Sequence, residues 1–349
     1  MTIEKRKTEH IDIISTQNVS HDYNYWDDIE IVQKSMPEVD FDSIDTSVRF
    51  LGKSLRVPIL ISSMTGGHPD TKKINENLAR AAAEVGVAMG VGSERAAINN
   101  RSVGDSYSVI TEYDVPFRIA NIGAPQLIDQ SRGGLKEEEI EYAYNLVKAD
   151  ALAVHFNFVQ ELSQPEGDRR SKGIEARMAE LTKKYRIVAK ETGAGFSRKD
   201  ALSFKEIGVS AIDVGGRSGT SFAAVEYYRS QKMEDETRNR IGSTFWNWGI
   251  PSPISVMFSK VDLPIIASGG VRTGLDIFRG IMLGATLGGL ASPFLKAALK
   301  SHVAVIKLVN DLETELKTAM FLTGCEKLED APKVKRVFRG RLLEWINQS

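Results

Sequence analysis

The sequence has one cysteine, Cys325, among 349 residues. A single thiol forms no intrachain disulfide and supplies no cysteine zinc site, so a reducing, cytoplasmic setting is expected. Surplus charge is also missing. Lys and Arg number 45 against 46 Asp and Glu, a formal net charge of -1. Such a balance gives no bulk attraction to nucleic acid or to an anionic membrane surface. No apolar run is long enough to cross a bilayer. The opening MTIEKRKTEHIDII lacks the apolar centre of a secretion signal. Short repeats and low-complexity tracts are absent. What is there is an ordinary globular mixture, 42% hydrophobic and 26% charged, long enough to bury a sizeable core.

Short apolar runs alternate with helical stretches. The runs are VPILISSM (57–64), VAMGVG (87–92), FRIANIG (117–123), ALAVHFN (151–157), RIVAKE (186–191), AIDVGG (211–216), PIIASGG (264–270) and TLGGLA (286–291). After the first, DTKKINENLARAAAEVG places Ile74, Leu78, Ala81, Ala82 and Val85 on one helical face, and Gly86 stops it. KEEEIEYAYNLVKA reads as another helix, and SPFLKAALKS follows the last run. Strands apolar along their length, alternating with helices, make a parallel sheet covered on both faces. Eight units predict a (β/α)8 TIM barrel as one domain over 1–349; a doubly wound open sheet is the alternative. Residues 1–52 read as a polar N-terminal extension, and 303–349 as extra C-terminal helices. The segment 217–242 reads as a long charged loop after the sixth strand, of the kind that serves as a lid.

Barrels of this kind carry their chemistry where the strands end. The first strand ends in Thr65, Gly66 and Gly67, the second in Ser93 and Arg95, and the third in Asn121. The fourth ends with His155, Asn157, Gln160 and Glu161 within seven positions, and the fifth with Lys190 and Thr192. A ring of polar groups around one mouth follows. GRSGT (216–220), SGGVRTG (268–274) and the small residues Ala291 and Ser292 come next, the last two sets at helix starts. Glycine admits close backbone approach and helix N-termini aim N–H groups, so the three together point to a phosphate-bearing ligand.

Single residues leave choices open. Lys190 reads as a Schiff-base lysine, a donor to an electron-rich cofactor ring, or a surface residue. His155 reads as a core histidine or a site residue, and its polar neighbours favour the second. Glu161 has no histidine at metal-ligand spacing, which argues against zinc; one carboxylate with substrate phosphates suits magnesium. Arg6 and His10 lie one helical turn apart with Lys7 beside Arg6, a solvated basic face on composition alone.

In order along the chain, RKTEH, MTGG, VGSER, ANIGAPQL, HFNFVQELSQPEG, KETGAG, SGGVRTGLD and TGCEKLED resemble the type 2 isopentenyl diphosphate isomerases over nearly the whole sequence. The resemblance implies a barrel that assembles as a homotetramer or octamer. It implies interconversion of isopentenyl and dimethylallyl diphosphate with reduced FMN and magnesium, and NADPH as a reductant. Met64, Thr65, Gly66, Ser93, Asn121 and Lys190 then correspond to groups around the flavin ring. Thr220, Gly270, Arg272, Ala291 and Ser292 correspond to its phosphate and ribityl side. Arg6, Lys7, His10, Ser93, Arg95, His155, Asn157 and Gln160 correspond to the substrate shell, and Glu161 to the magnesium ligand. Where many members read SGxGGT, this chain has GGRSGT: Gly215 stands for a serine and Ser218 for a glycine.

The catalytic set is expected to be His155, Gln160 and Lys190. Few side chains here protonate an unactivated alkene, and Gln160 is too weak an acid alone. The hard chemistry therefore passes to the cofactor. An FMN-dependent hydride-transfer oxidoreductase on the same barrel is the rival reading. Such enzymes commonly place a histidine base near the seventh strand, where this sequence has none.

Overall fold

The computed structural model describes residues 9, 10, 12–14, 16–130, 133–164 and 167–348. Eight parallel strands form a closed barrel. They are β1 (Ile59–Ile61), β2 (Ala88–Gly90), β3 (Arg118–Gly123), β4 (Ala151–Phe156), β5 (Ile187–Glu191), β6 (Ala211–Asp213), β7 (Ile265–Ala267) and β8 (Leu287–Leu290). Closure between β8 and β1, with Gly288, Gly289 and Leu290 opposite Ile59, Leu60 and Ile61, excludes the open sheet. The predicted first helix runs Pro69–Val85, and Gly86 ends it in the left-handed conformation at φ 71°.

Side chains alternate across a strand, so every second residue faces the barrel interior. Leu60, Ile119, Ala153, Val188, Ala211 and Ile266 fill that interior with Phe50, Leu55 and Phe117. Two positions on, the same faces carry Ser62, Asn121, His155, Lys190, Asp213 and Ser268, all buried. The period of two thus explains why apolar strands end in inward polar groups. At the opposite end, Val48–Phe50 and Lys53–Leu55 pair antiparallel and close the barrel floor. Phe50 meets Phe117 edge to face at 5.2 Å between ring centroids.

Three expectations need correction. The N-terminal extension is anchored, not a polar lead-in: Tyr25, Trp26, Ile29 and Ile44 are buried in the main core, and Ile29–Ile31 pairs antiparallel with Arg336–Phe338. The segment 217–242 is mostly helical, as Phe222–Lys232 and Glu236–Thr244, capped by Ser221 and Asp235. The C-terminal region holds that pairing strand as well as the helices His302–Thr323 and Gly340–Gln348. The last helix is capped from afar: the Leu342 N–H donates to Asp28 Oδ2 at 2.9 Å.

Candidate active site

One cavity of about 710 Å³ opens at the C-terminal ends of the strands. Every predicted site residue from His10 to Ser292 lines it. Arg6 and Lys7 lie outside the described residues.

The wall under strands β3 to β7 is set by register. Gly123 stands opposite His155, His155 opposite Lys190, and Lys190 opposite Asp213. The Asn121 amide nitrogen donates to the Val91 carbonyl at 3.1 Å. That turns its oxygen to His155 Nδ1 at 2.8 Å, so Nδ1 carries the hydrogen. Lys190 Nζ donates to Asp213 Oδ2 at 2.8 Å. The other Asp213 oxygen accepts the Ser268 hydroxyl. Lys190 is therefore an ion-paired, 8%-exposed residue and not a surface lysine. Such a lysine suits donating to a ring better than attacking a carbonyl.

The polar cluster after β4 pairs with itself. The helix Phe158–Ser163 starts at Asn157 and turns Gln160 and Glu161 back toward it. Asn157 Nδ2 donates to Gln160 Oε1 at 3.1 Å and to Glu161 Oε1 at 2.9 Å. Glu161 Oε2 accepts from Gln164 Nε2 at 2.6 Å and from the Asp168 N–H at 2.8 Å. Asp168 in turn holds Arg95 at 2.8 Å. Glu161 is 2% exposed. Among the described residues no three His, Cys, Asp or Glu gather as a metal cage.

Glu226 completes the cluster and was not foreseen. It sits on the helix Phe222–Lys232, 1% exposed. Its Oε1 is 2.9 Å from His10 Nε2 and 3.2 Å from Gln160 Nε2, while Oε2 accepts Arg229 at 3.1 Å. Burial pushes its pKa up, but the His10 hydrogen bond, the His10 charge and Arg229 outweigh it and hold the carboxyl below its usual range. Asp213 and Ser268, polar positions at the ends of otherwise apolar strands, carried a readable signal; Glu226, inside a segment read as a loop, carried none.

The far end of the cavity is backbone. Gly216, Ser218, Gly219 and Thr220 face Gly269, Gly270 and Arg272. Gly270 has φ +80°, and a Cβ there would strike the Ser218 carbonyl. The departures from SGxGGT are absorbed locally. Gly215 N–H donates to Ser268 Oγ at 3.0 Å, and the Ser218 hydroxyl donates to the Arg217 carbonyl at 2.6 Å. Arg272 is shared between Asp27 at 2.6 Å and Asp276 at 3.4 Å.

Comparison with known proteins places these features in a wider group. The sequence profile of the FMN-dependent dehydrogenase family matches residues 2–102 and 184–336. Isopentenyl-diphosphate delta-isomerases from Thermoplasma volcanium and Picrophilus torridus are 54% and 50% identical, each over 99% of both chains. One from Archaeoglobus fulgidus is 45% identical, again over 99% of both. Among solved structures, a Pediococcus acidilactici protein described as a lactate oxidase superposes with TM-score 0.66 at 15% identity, over 97% of this chain and 93% of that one. A flavocytochrome b2 variant gives 0.62 at 20% identity, over 98% and 84%. At those identities the structures share the fold alone.

Proposed function

This chain belongs to the isopentenyl-diphosphate delta-isomerase family, and on that premise we propose that it interconverts isopentenyl and dimethylallyl diphosphate. The reaction moves a proton between two carbons with no net redox change. The observation that carries the reading is one large cavity with two unlike ends. One end is glycine backbone suited to a phosphate; the other is the His155, Asn157, Gln160 and His10 cluster; Lys190 lies between. Its volume falls in the range of cofactor sites.

The residues fit FMN. The 216–220 and 269–272 loops would hold its phosphate, since Gly219 and Gly270 let the two turns approach too closely for a Cβ and bring their backbones together at one end of the cavity. Met64, Thr65, Gly66, Ser93, Asn121 and Lys190 would surround its ring, and Ala291 and Ser292 its tail. Reduced FMN, when bound, supplies the acid and base for the proton shift, with NADPH as the reductant. Lys190, one of its three N–H groups held by Asp213, would have a donor to offer the ring. The residues also fit one magnesium ion. Glu161 Oε2 accepts two hydrogen bonds and Oε1 one, which leaves Oε1 acceptor capacity at the cavity wall. Glu161 would hold such a cation, which would offset diphosphate charge.

Gln160 is held at both ends of its amide, by Asn157 and Glu226. It therefore positions the alkene and does not relay a proton alone. His155, its Nδ1 engaged by Asn121, lines the cavity. Arg6, Lys7 and His10 would act as a diphosphate clamp, a role supported at His10, which lines the cavity and is docked on Glu226. Among the described residues, no helix is long and apolar enough to cross a membrane. A homo-oligomeric, cytoplasmic enzyme is the form this reading carries.

An anaerobic assay with isopentenyl diphosphate, magnesium and reduced FMN tests it. Dimethylallyl diphosphate is the expected product. A flavin-loaded protein that makes none, yet oxidises a 2-hydroxy acid, would establish the rival hydride-transfer reading.

A further inference from the structure

Arg217 interrupts the turn that lines the phosphate end of the cavity. Gly216, Ser218, Gly219 and Thr220 face inward, while the Arg217 side chain leaves in the opposite direction. Its NH1 donates to the Asn247 carbonyl at 2.8 Å and its NH2 to the Tyr25 hydroxyl. The guanidinium lies over the Tyr25 ring at 4.9 Å and within 5.9 Å of the Trp345 ring. Its backbone N–H donates to the Ile250 carbonyl at 2.8 Å. Three parts of the chain thus meet on one residue: the N-terminal extension, the connection after β6, and the last helix.

Two physical effects follow for the turn in front. First, it is pinned. The Ser218 hydroxyl donates to the Arg217 carbonyl and accepts the Tyr25 N–H at 3.3 Å. The backbone of the turn is therefore set before a ligand arrives, and that lowers the ordering cost of binding. Second, no carboxylate among the described residues pairs with Arg217; its partners are neutral oxygens and ring faces. A cation without a counter-charge, one residue behind a phosphate cradle, favours a dianion in front of it.

We infer that Arg217 is a positioning residue for the cofactor phosphate, acting from behind the turn through Tyr25 and Trp345. This rests on the assignment of the 216–220 loop to the flavin phosphate. It also gives the last helix, far from the reacting atoms, a part in cofactor retention.

The test compares FMN with riboflavin, which lacks the phosphate. Dissociation constants for both are read by flavin fluorescence quenching on wild type, Arg217→Met, Arg217→Lys and Tyr25→Phe, with melting temperatures as a control of folding. Arg217→Met is expected to weaken FMN about tenfold, the loss of charge-assisted contacts, and riboflavin less than about twofold. Arg217→Lys, which restores the charge but not the fork, falls between. Tyr25→Phe gives a smaller loss, again confined to FMN. Equal losses for both flavins, or none for either, overturn the role of Arg217 and leave the phosphate assignment standing. Should Arg217→Met not fold, the other two variants decide by the same FMN-selective criterion. A wild-type protein that binds riboflavin as tightly as FMN overturns the phosphate assignment, and the inference with it.

Discussion

Glu226 Oε1 sits 2.9 Å from His10 Nε2, across 216 positions of sequence, and the same oxygen accepts Gln160 at 3.2 Å. One buried carboxylate therefore fixes both the N-terminal extension and the amide beside the proposed substrate. Glu226→Gln keeps the shape and removes the charge. It is expected to raise KM for isopentenyl diphosphate strongly while leaving flavin affinity unchanged. Urea denaturation should show a loss of about 1–3 kcal/mol, since buried Arg229 loses its charged contact with Glu226. An unaltered KM would separate the extension from substrate binding.

Glu161→Gln bears on magnesium. Three N–H donors converge on the native carboxylate. A glutamine turns an NH2 toward some of them, so stability falls by about 1–3 kcal/mol. Activity should drop further, and recover in part as magnesium is raised. Full activity with the wild-type magnesium curve would remove Glu161 as the metal ligand.

Asp213→Asn strips the charge from the partner of Lys190 and keeps an acceptor for it. Lys190 is then held less firmly at the proposed ring position. The expected outcome is a shifted flavin absorption band and an altered flavin reduction potential. A spectrum and potential identical to wild type would show that the pair serves the barrel alone.

Two buried groups give opposite pH terms. Burial holds His21 down to about 4, its Nε2 3.0 Å from the Gly193 carbonyl. The unfolded chain binds that proton near 6.5, so stability falls as pH drops from about 6.5 to 4. Burial raises Glu191 to about 7, against three backbone N–H donors from Gly193, Ala194 and Gly195. Its contribution is full below about 4.5 and is lost as pH rises to 7. The two nearly offset between about 4.5 and 6.5. His21→Gln removes the first alone, so its stability relative to wild type should improve between pH 7 and pH 5. Equal pH dependence for both proteins in urea titrations would refute the His21 term.

The barrel was legible because eight apolar runs alternate with helices, and in six of them a period of two turned a polar residue near the end inward. Asn121, His155 and Lys190 were found that way. Glu226 was not, because its helix buries a carboxylate and an arginine where a pattern reader expects an apolar stripe. Trp26 escaped for a related reason. Its indole N–H bonds the Gly269 carbonyl at 2.9 Å, a contact set by tertiary approach and invisible in the local pattern around it. The GGRSGT departure was visible in the sequence, but its compensation by Ser268 and Tyr25 needed the fold.

The pairing of Ile29–Ile31 with Arg336–Phe338 also has a temporal meaning. A ribosome adds roughly 5–20 residues per second, so Ile29–Ile31 waits roughly 15–60 s for its partner. Until then Trp26, the latch on Gly269, and the extension that carries His10 lack the support of the chain's last segment. The mouth of the barrel is thus assembled last, after the eight strands are already made. A nascent chain stalled before Arg336 should hold a formed barrel that retains flavin poorly, which makes cofactor loading a late event in the protein's life.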